Sequence, residues 1–346
     1  MSTIKEVAER AGVSIATASN AISGNRPVGK ARLERVLAAA RELDYHPNEL
    51  ARSLKMKQTR MLGMVLPDIT NPFFSDLIRG AEDAALERGY LLLTANTDEQ
   101  VEREKRFVAA LRSRRVDGIL LAATASKSET HLKRVVAAGV PMVCLDRMAP
   151  GLAVDAVLVD NVRGTQDCIR HLIRSGHKKI AIITGALGLQ TAQERLDGYC
   201  AAFEEAGIPV PKDLIMRGDF REESGYRLGK ELLLRRERPT AIFACNGVMM
   251  LGLLIALDEL GVKCPEEIAL ATFDDLPFAQ SFHPHLTAVA QPAHAIGYEG
   301  ANLLMDRIEG RRTGESVIMR LSPELKIRES TKQYHFKLKD LKPLFA

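Results

Sequence analysis

Apolar residues at the start of the chain recur at helical spacing. Ile4, Val7 and Ala8 form one face that ends at Ala11 and Gly12, and a second segment over 14–22 turns Val13 and Ala18 inward. A third pattern over 30–43 places Leu33, Val36, Leu37 and Ala40 on one side, the recurrence of an amphipathic helix. The polar punctuation agrees with three short helices. Thr3 and Glu6 have capping-box spacing, in which a hydroxyl and a carboxylate satisfy the first free N–H groups. Ser14 is a good N-cap for the second helix and leaves Ile15, Ala16, Thr17 and Asn20 to face outward. Ser23, Gly24 and Asn25 break that helix.

From Met61 the texture changes to short apolar runs alternating with amphipathic segments. Strands are expected at 61–66, 90–94, 118–121, 142–145, 156–159, 179–183, 241–244 and 268–272, with helices such as 72–88, 101–115, 162–175 and 248–260 between them. Repeated βα alternation predicts parallel sheets in a doubly wound fold, with ligands outside the carboxyl ends of the strands. These strands, with later β segments, exceed one compact half, so two α/β lobes with a divide near residue 160 are expected. The organisation is then an all-α helix-turn-helix unit (1–47), a hinge and linker (48–60) and a core (61–346). Its lobes run roughly over 61–160 and 161–290, with the chain crossing back near 290–325. The cleft between such lobes is the natural place for a small ligand.

Composition narrows the class. The 346 residues are 46% hydrophobic and 27% charged, the balance of a soluble multi-domain protein. Cys144, Cys168, Cys200, Cys245 and Cys264 lie far apart with no CxxC pair, so neither a zinc framework nor a disulfide scaffold is indicated and a reducing, cytoplasmic setting fits. There is no secretory h-region and no apolar run long enough to span a membrane. Charge is unevenly placed: residues 1–60 hold 11 Lys and Arg against 6 Asp and Glu, while the rest hold 37 against 38. Attraction for a polyanion starts at the N-terminal segment.

Several motifs bear on chemistry. Gly24 to Lys30 has phosphate-loop spacing, but Ala31 stands where the magnesium-binding hydroxyl belongs and a helix, not a strand, precedes it. The two helices joined by Ala11, Gly12 and Val13 instead suit a major groove, where short outward side chains let the backbone approach the bases. After the turn at Tyr45, His46, Pro47 and Asn48, residues 49–56 form a candidate basic helix with Arg52, Leu54 and Lys55. Leu54 there suits a minor-groove wedge, and the cations suit phosphates. Enzyme readings lack support: Asp274 and Asp275 are neighbours on a strand end and point apart, and His283, His285 and His294 lack an associated Cys or Asp cluster. No metal and no cofactor are called for.

These residues carry a resemblance. Thr3 to Ala8, Ala11 to Ser14, Tyr45 to Asn48 and Ala51 to Lys55 resemble the headpiece and hinge of the lactose and galactose repressor family. The likeness continues in order through Asp68 to Phe74, Arg115 to Gly118, Gly176-His177, Arg195 to Gly198, Arg238 to Ala241 and Phe273 to Asp275. Gly218 to Phe220 and Glu223 to Tyr226 are similar to the purine repressor within that family. The resemblance implies a headpiece placing Ile15, Ala16 and Asn20 toward base edges, with Asn20 as the hydrogen-bonding reader and Thr3, Ser14 and Thr17 beside them. It implies a hinge in which Leu54 wedges between central base pairs of a near-palindromic operator bound by a homodimer. It implies a periplasmic-binding-protein-like core that holds an effector with Asp274 and Arg195, joined by Phe73, Phe74, Asp146, Arg147, Phe220 and Asn246. Asp160 and Asn161 fall at the lobe crossover as lesser candidates.

One departure stands out: Gly247 follows Asn246 where the family usually has Asp, which removes a carboxylate near the cleft. The tail over 329–346 shows no leucine heptads, so a coiled-coil tetramer is not expected. The expected function is a DNA-binding transcription regulator, a repressor, controlled by a small effector, with a carbohydrate favoured. The rivals are a sugar-binding protein without a DNA role and a carbohydrate-processing enzyme.

Overall fold

The computed structural model describes residues 2–23, 26–45, 58–124, 130–277 and 283–332. Two compact units divide between Arg60 and Met61. The hinge residues Arg52, Leu54 and Lys55 and the tail beyond 332 lie outside the described residues.

The first unit contains α1 (Ile4–Ala11), α2 (Ile15–Ser23) and α3 (Lys30–Glu42). The capping box forms: the Glu6 N–H donates to Thr3 Oγ1 at 3.3 Å and the Thr3 N–H to Glu6 Oε2 at 2.7 Å. Gly12 ends α1 in the left-handed region, at φ 63°. Its N–H bonds the Glu9 carbonyl and that of Val13 the Ala8 carbonyl, so two of the carbonyls left free at the helix end are satisfied. Ser14 accepts from the Thr17 N–H at 3.2 Å and starts α2. Val7, Ala8, Ala11, Ala18, Ala21, Val36 and Ala39 form the small core. One expectation is corrected: Leu37 is 40% exposed, and Ala39 is the inward residue. Leu37 lies a further 100° round the helix from Val36, beyond the narrow stripe that a three-helix unit of this size covers.

The second unit alternates strand and helix. Its first lobe is built from β1 (Met61–Leu66), α4 (Pro72–Glu87), β2 (Leu91–Asn96), α5 (Val101–Ser113), β3 (Gly118–Leu121), α6 (Thr130–Ala137), β4 (Met142–Asp146) and β5 (Asp155–Val159). The second is built from α7 (Asn161–Arg174), β6 (Ile180–Thr184), α8 (Gln190–Glu205), β7 (Ile215–Arg217), α9 (Glu222–Leu233), β8 (Ala241–Ala244), α10 (Gly247–Leu260), β9 (Ala269–Phe273) and β10 (Thr287–Ala290). The chain then returns through α11 (Ala293–Ile308) and β11 (Ile318–Leu321) before ending in β12 (Glu324–Lys326). Two six-stranded sheets result, ordered β11-β5-β4-β3-β1-β2 and β12-β10-β9-β8-β6-β7. Every pairing is parallel except that of β12 with β10. Helices cover both faces, so the central strands are buried on both sides and read as unbroken apolar runs.

The strands of the two sheets part between Val159 and Asn161, and the chain crosses again at 290–293 and 321–324. Several strands sit one or two residues later than their apolar runs: β2 starts at Leu91, β6 at Ile180 and β9 at Ala269. The return of β11 is clamped by Arg307, which donates to both Asp155 oxygens at 2.7 and 2.9 Å and to the carbonyls of Gly314 and Glu315. Asp155 also accepts the Val317 N–H at 2.7 Å.

In the first lobe α4 and α11 cross backbone to backbone. A Cβ added at Gly80 would lie 1.9 Å from the His294 carbonyl oxygen, and one at Gly297 would lie 1.9 Å from that of Leu77. Gly80→Ala or Gly297→Ala is therefore expected to force the helices apart and cost about 3 kcal/mol, read as a lower denaturation midpoint. An unchanged midpoint would show that the crossing does not need glycine.

Candidate functional site

The carboxyl ends of both sheets face a cavity of about 390 Å³ between the lobes. The first lobe contributes Asp68, Phe73 and Phe74 after β1, Asp98 and Glu99 after β2, and Asp146 and Arg147 at the end of β4. The second contributes Arg195 on α8, Phe220 after β7, Asn246 after β8 and Asp274 after β9, and Gln291 comes from the crossover. All eight expected effector residues line this one cavity.

Its backbone is unusual. Asp98, Glu99, Asp146, Phe220 and Asp274 all have positive φ, between 51° and 74°. Such backbone costs of order 1 kcal/mol or more for a residue with a Cβ and persists only where surroundings enforce it. Each of these residues turns its side chain abruptly at or beyond a strand end, into the cleft.

Arg195 is 4% exposed and heavily engaged. Its Nε donates to Asn161 Oδ1 at 2.9 Å and its Nη1 to the Cys245 carbonyl at 2.5 Å, and its guanidinium lies 3.8 Å from the Phe273 ring centroid. Nη2 has no hydrogen bond to a described residue. Asn161, at the crossover, thus acts as the brace of Arg195, with its own Nδ2 donating to Glu194. Asp160 caps α7 by accepting from the Arg163 N–H.

Arg147 donates through Nη2 to Glu99 Oε1 at 2.6 Å, while Arg147 Nε and Glu99 Oε2 are buried with no partner. Asp274 accepts from Gln291 Nε2 at 2.6 Å and from the Gly247 N–H at 3.4 Å, and Gln291 Oε1 is likewise buried and unpaired. Asp146 is 7% exposed, and no described residue donates a hydrogen bond to it. Burial pushes its carboxyl up to about 6, against the pull of Arg147 and Arg195 and with a smaller push from Asp274 and Glu99. Asp275 points away and is held by Arg328 and Lys326.

Asn246 has both ends of its amide engaged, as the N-cap of α10 through Met249 and as donor to the Phe220 carbonyl. Phe73 and Phe74 meet edge to face at 5.0 Å and belong to the core as well as to the cavity wall. Phe220 lies on Gly185: a Cβ there would come within 2.2 Å of its ring. Gly247 has a local reason too, since an added Cβ would lie 2.4 Å from Leu276 Cγ. Leu276 occupies the space that an aspartate would use. Glu99, Gln291, Asp219 and Arg221 are lining residues that sequence reading missed. All but Arg221 lie within three residues of a strand end, so correct strand ends would have pointed to them.

In the first unit, Ile15 is 50% exposed at the start of α2, Ala16 is exposed, and Thr17 and Asn20 are half-buried on that helix. Thr3 and Ser14 cap the two helices. Half of this large apolar side chain at the first turn of α2 is left in water.

Residues 3–48 match the model of bacterial regulatory proteins of the lacI family, and residues 169–331 match a periplasmic binding protein-like domain. The chain is 36% identical over 321 residues to the HTH-type transcriptional repressor PurR of Proteus mirabilis, covering 92% of this chain and 94% of that protein. Among solved structures it is similar to the transcriptional regulator CelR in complex with cellobiose (33% identity, TM-score 0.72, 95% of this chain and 100% of that one). It is similar also to the lac repressor dimer bound to operator and an anti-inducer (25% identity, TM-score 0.85, 96% and 99%). The chain belongs to the lacI family of bacterial regulatory proteins. It is a transcription regulator and not an enzyme, as its relatives are.

The swap at Gly247 is testable. Gly247→Asp should clash with Leu276 and set a carboxylate beside Asp274, lowering stability by about 3 kcal/mol. Adding Leu276→Ala should recover part of that loss, a coupling read from the double-mutant cycle of denaturation midpoints. Strictly additive losses would show that the two positions do not share the space.

Proposed function

We propose that this regulator is a cytoplasmic homodimeric repressor of a near-palindromic operator, and that a polyhydroxylated effector, a carbohydrate, sets its DNA affinity from the interlobe cavity. Ile15, Ala16 and Asn20 read base edges from α2, with Thr3, Ser14 and Thr17 near the backbone, and Arg52, Leu54 and Lys55 act from the hinge. The operator-bound lac repressor dimer supports the DNA role and the dimer. Among the described residues no helix is long and apolar enough to cross a membrane.

The observation that carries the effector class is the set of unfilled hydrogen-bonding atoms. Glu99 Oε2, Gln291 Oε1 and the Asp146 oxygens are open acceptors, against Arg147 Nε and Arg195 Nη2 as open donors. Buried polar atoms without partners are costly, and a polyol supplies both kinds of group, since each hydroxyl donates one hydrogen bond and accepts up to two. Phe73, Phe74 and Phe220 supply the apolar wall that a sugar ring packs against. The CelR–cellobiose complex supports this reading. A purine is the second reading, favoured by those same rings and by the PurR relatives.

Three results are expected. In a thermal-shift screen of the full chain, sugars rather than purines, sugar acids or sugar phosphates raise the melting temperature. The sugar that does so also changes affinity for a duplex operator selected from random sequence; tight sugar binding with no change at the operator would sink the allosteric reading. Asn20→Ala should cost about 1–3 kcal/mol of operator binding and relax one base position.

Effector affinity should also depend on pH. The free Asp146 carboxyl stays protonated up to about 6, facing Arg147, Arg195, Asp274 and Glu99, whereas hydroxyl donors favour its ionised form. Affinity is therefore full above that value and falls by up to about tenfold per unit as pH drops below it. Asp146→Asn should flatten the profile, and a profile of the same shape in that variant would assign the proton elsewhere.

A further inference from the structure

The charges lining the cavity are unequal and layered. On its floor, Asp146 and Asp274 sit with Arg147 and Arg195, each of the four less than one-tenth exposed, and Glu99 adds one more carboxylate. Around the mouth stand Asp68, Asp98, Asp219 and Glu222, with Arg221 as the only base among the lining residues there. Asp98 has an outside partner in Arg103, so part of its charge is met. The mouth remains acidic. A cleft of one sign with low-dielectric walls repels ligands of that sign and concentrates the opposite one.

The bases are already committed. Arg147 pairs with Glu99, Arg221 donates to the Asp98 carbonyl at 3.3 Å, and Arg195 spends two of its donors on Asn161 and the Cys245 carbonyl. What the floor lacks is one cation: Asp146, Asp274 and Glu99 face only Arg147 and Arg195. A neutral hydroxyl would fill a hydrogen bond there but would leave that surplus carboxylate without a countercharge. An anionic group would add to the surplus.

Resting on the reading of this cavity as the effector site, we propose that the effector is a polyol bearing a primary amine, an amino-sugar-like cation whose ammonium sits on Asp146 and Glu99 Oε2 while its hydroxyls meet Arg147 Nε, Arg195 Nη2 and Gln291 Oε1. Burial pushes the Asp146 carboxyl toward about 6, and an adjacent ammonium would return the group to its ionised form. The acidic mouth makes association fast at low salt and slower as salt rises.

The test is calorimetric titration of the full chain at near-neutral pH with a matched series: hexosamines of gluco, galacto and manno configuration, their N-acetyl forms, the parent hexoses and the corresponding uronic acids. In at least one configuration the amine should bind at least about tenfold tighter than its N-acetyl form and its parent hexose, with the uronic acid weakest. Asp146→Asn should bring the amine and its parent hexose to within about threefold of each other, whatever the loss common to both. Should that variant fail to fold, the ranking of the series on the unmodified chain and its salt dependence still decide. A parent hexose that binds as tightly as its amine overturns the ammonium site and leaves the carbohydrate reading standing. No binding across the series, with a purine binding instead, overturns both.

Discussion

The guanidinium of Arg195 is where the second lobe, the crossover and the cavity meet. It is buried on the face of Phe273 from β9, anchored to the carbonyl that follows β8, and braced by Asn161 at the first crossing between lobes. A cation so placed is stable only because each of those groups is present, since an unpaired buried charge costs several kcal/mol. The arrangement fixes the ends of two neighbouring strands relative to the crossover. The position of Asp274, one residue beyond Phe273, follows from it.

Around that anchor the fold supplies strain where a ligand belongs. Two parallel sheets end at one cleft, and five non-glycine residues with left-handed backbone line it. Three other described non-glycine residues with positive φ, Asp44, Arg60 and Arg115, lie elsewhere. The strain is offset by the packed sheets behind it, which are buried throughout their central strands. Glycines at 185 and 247 serve the same end by yielding space to Phe220 and Leu276. Gly247 is therefore one half of a packing pair rather than simply a missing carboxylate.

Much of this was legible in the sequence, and the losses have physical causes. The capping box at Thr3 and Glu6, the turn at Gly12 and the βα alternation are local signals, and each appears where its residue pattern put it. Leu37 was misplaced because helical spacing alone does not say how wide a face a small core covers. Strand ends were placed early because burial on both faces makes a strand an apolar run, and the polar residues that close it belong to the strand as well. Asp146 is the clearest instance: it is the last residue of β4. Glu99 was hidden because β2 runs on to Asn96, and Gln291 because β10 was not among the expected strands; their unpaired atoms are set by pairing in three dimensions and have no sequence signature.

How a ligand here could move DNA affinity follows from what holds the lobes together around the cavity. Near it, Arg221 reaches the Asp98 carbonyl, the Met148 N–H donates to Gln190, and Arg320 approaches Glu194 at 3.4 Å. These are polar contacts in partly solvated positions, worth about 1 kcal/mol each. The open hydrogen-bonding atoms come instead from both lobes and from the crossover: buried unpaired atoms on Arg147 and Glu99 on one side and on Gln291 between, and Arg195 Nη2 on the other. A ligand that fills them links the lobes more strongly than the protein alone does. Its influence elsewhere is bounded by the difference in its affinity for the two lobe arrangements. That difference is largest for a ligand whose bonds span the cleft, so a fragment occupying one lobe's half of the cavity should bind without regulating.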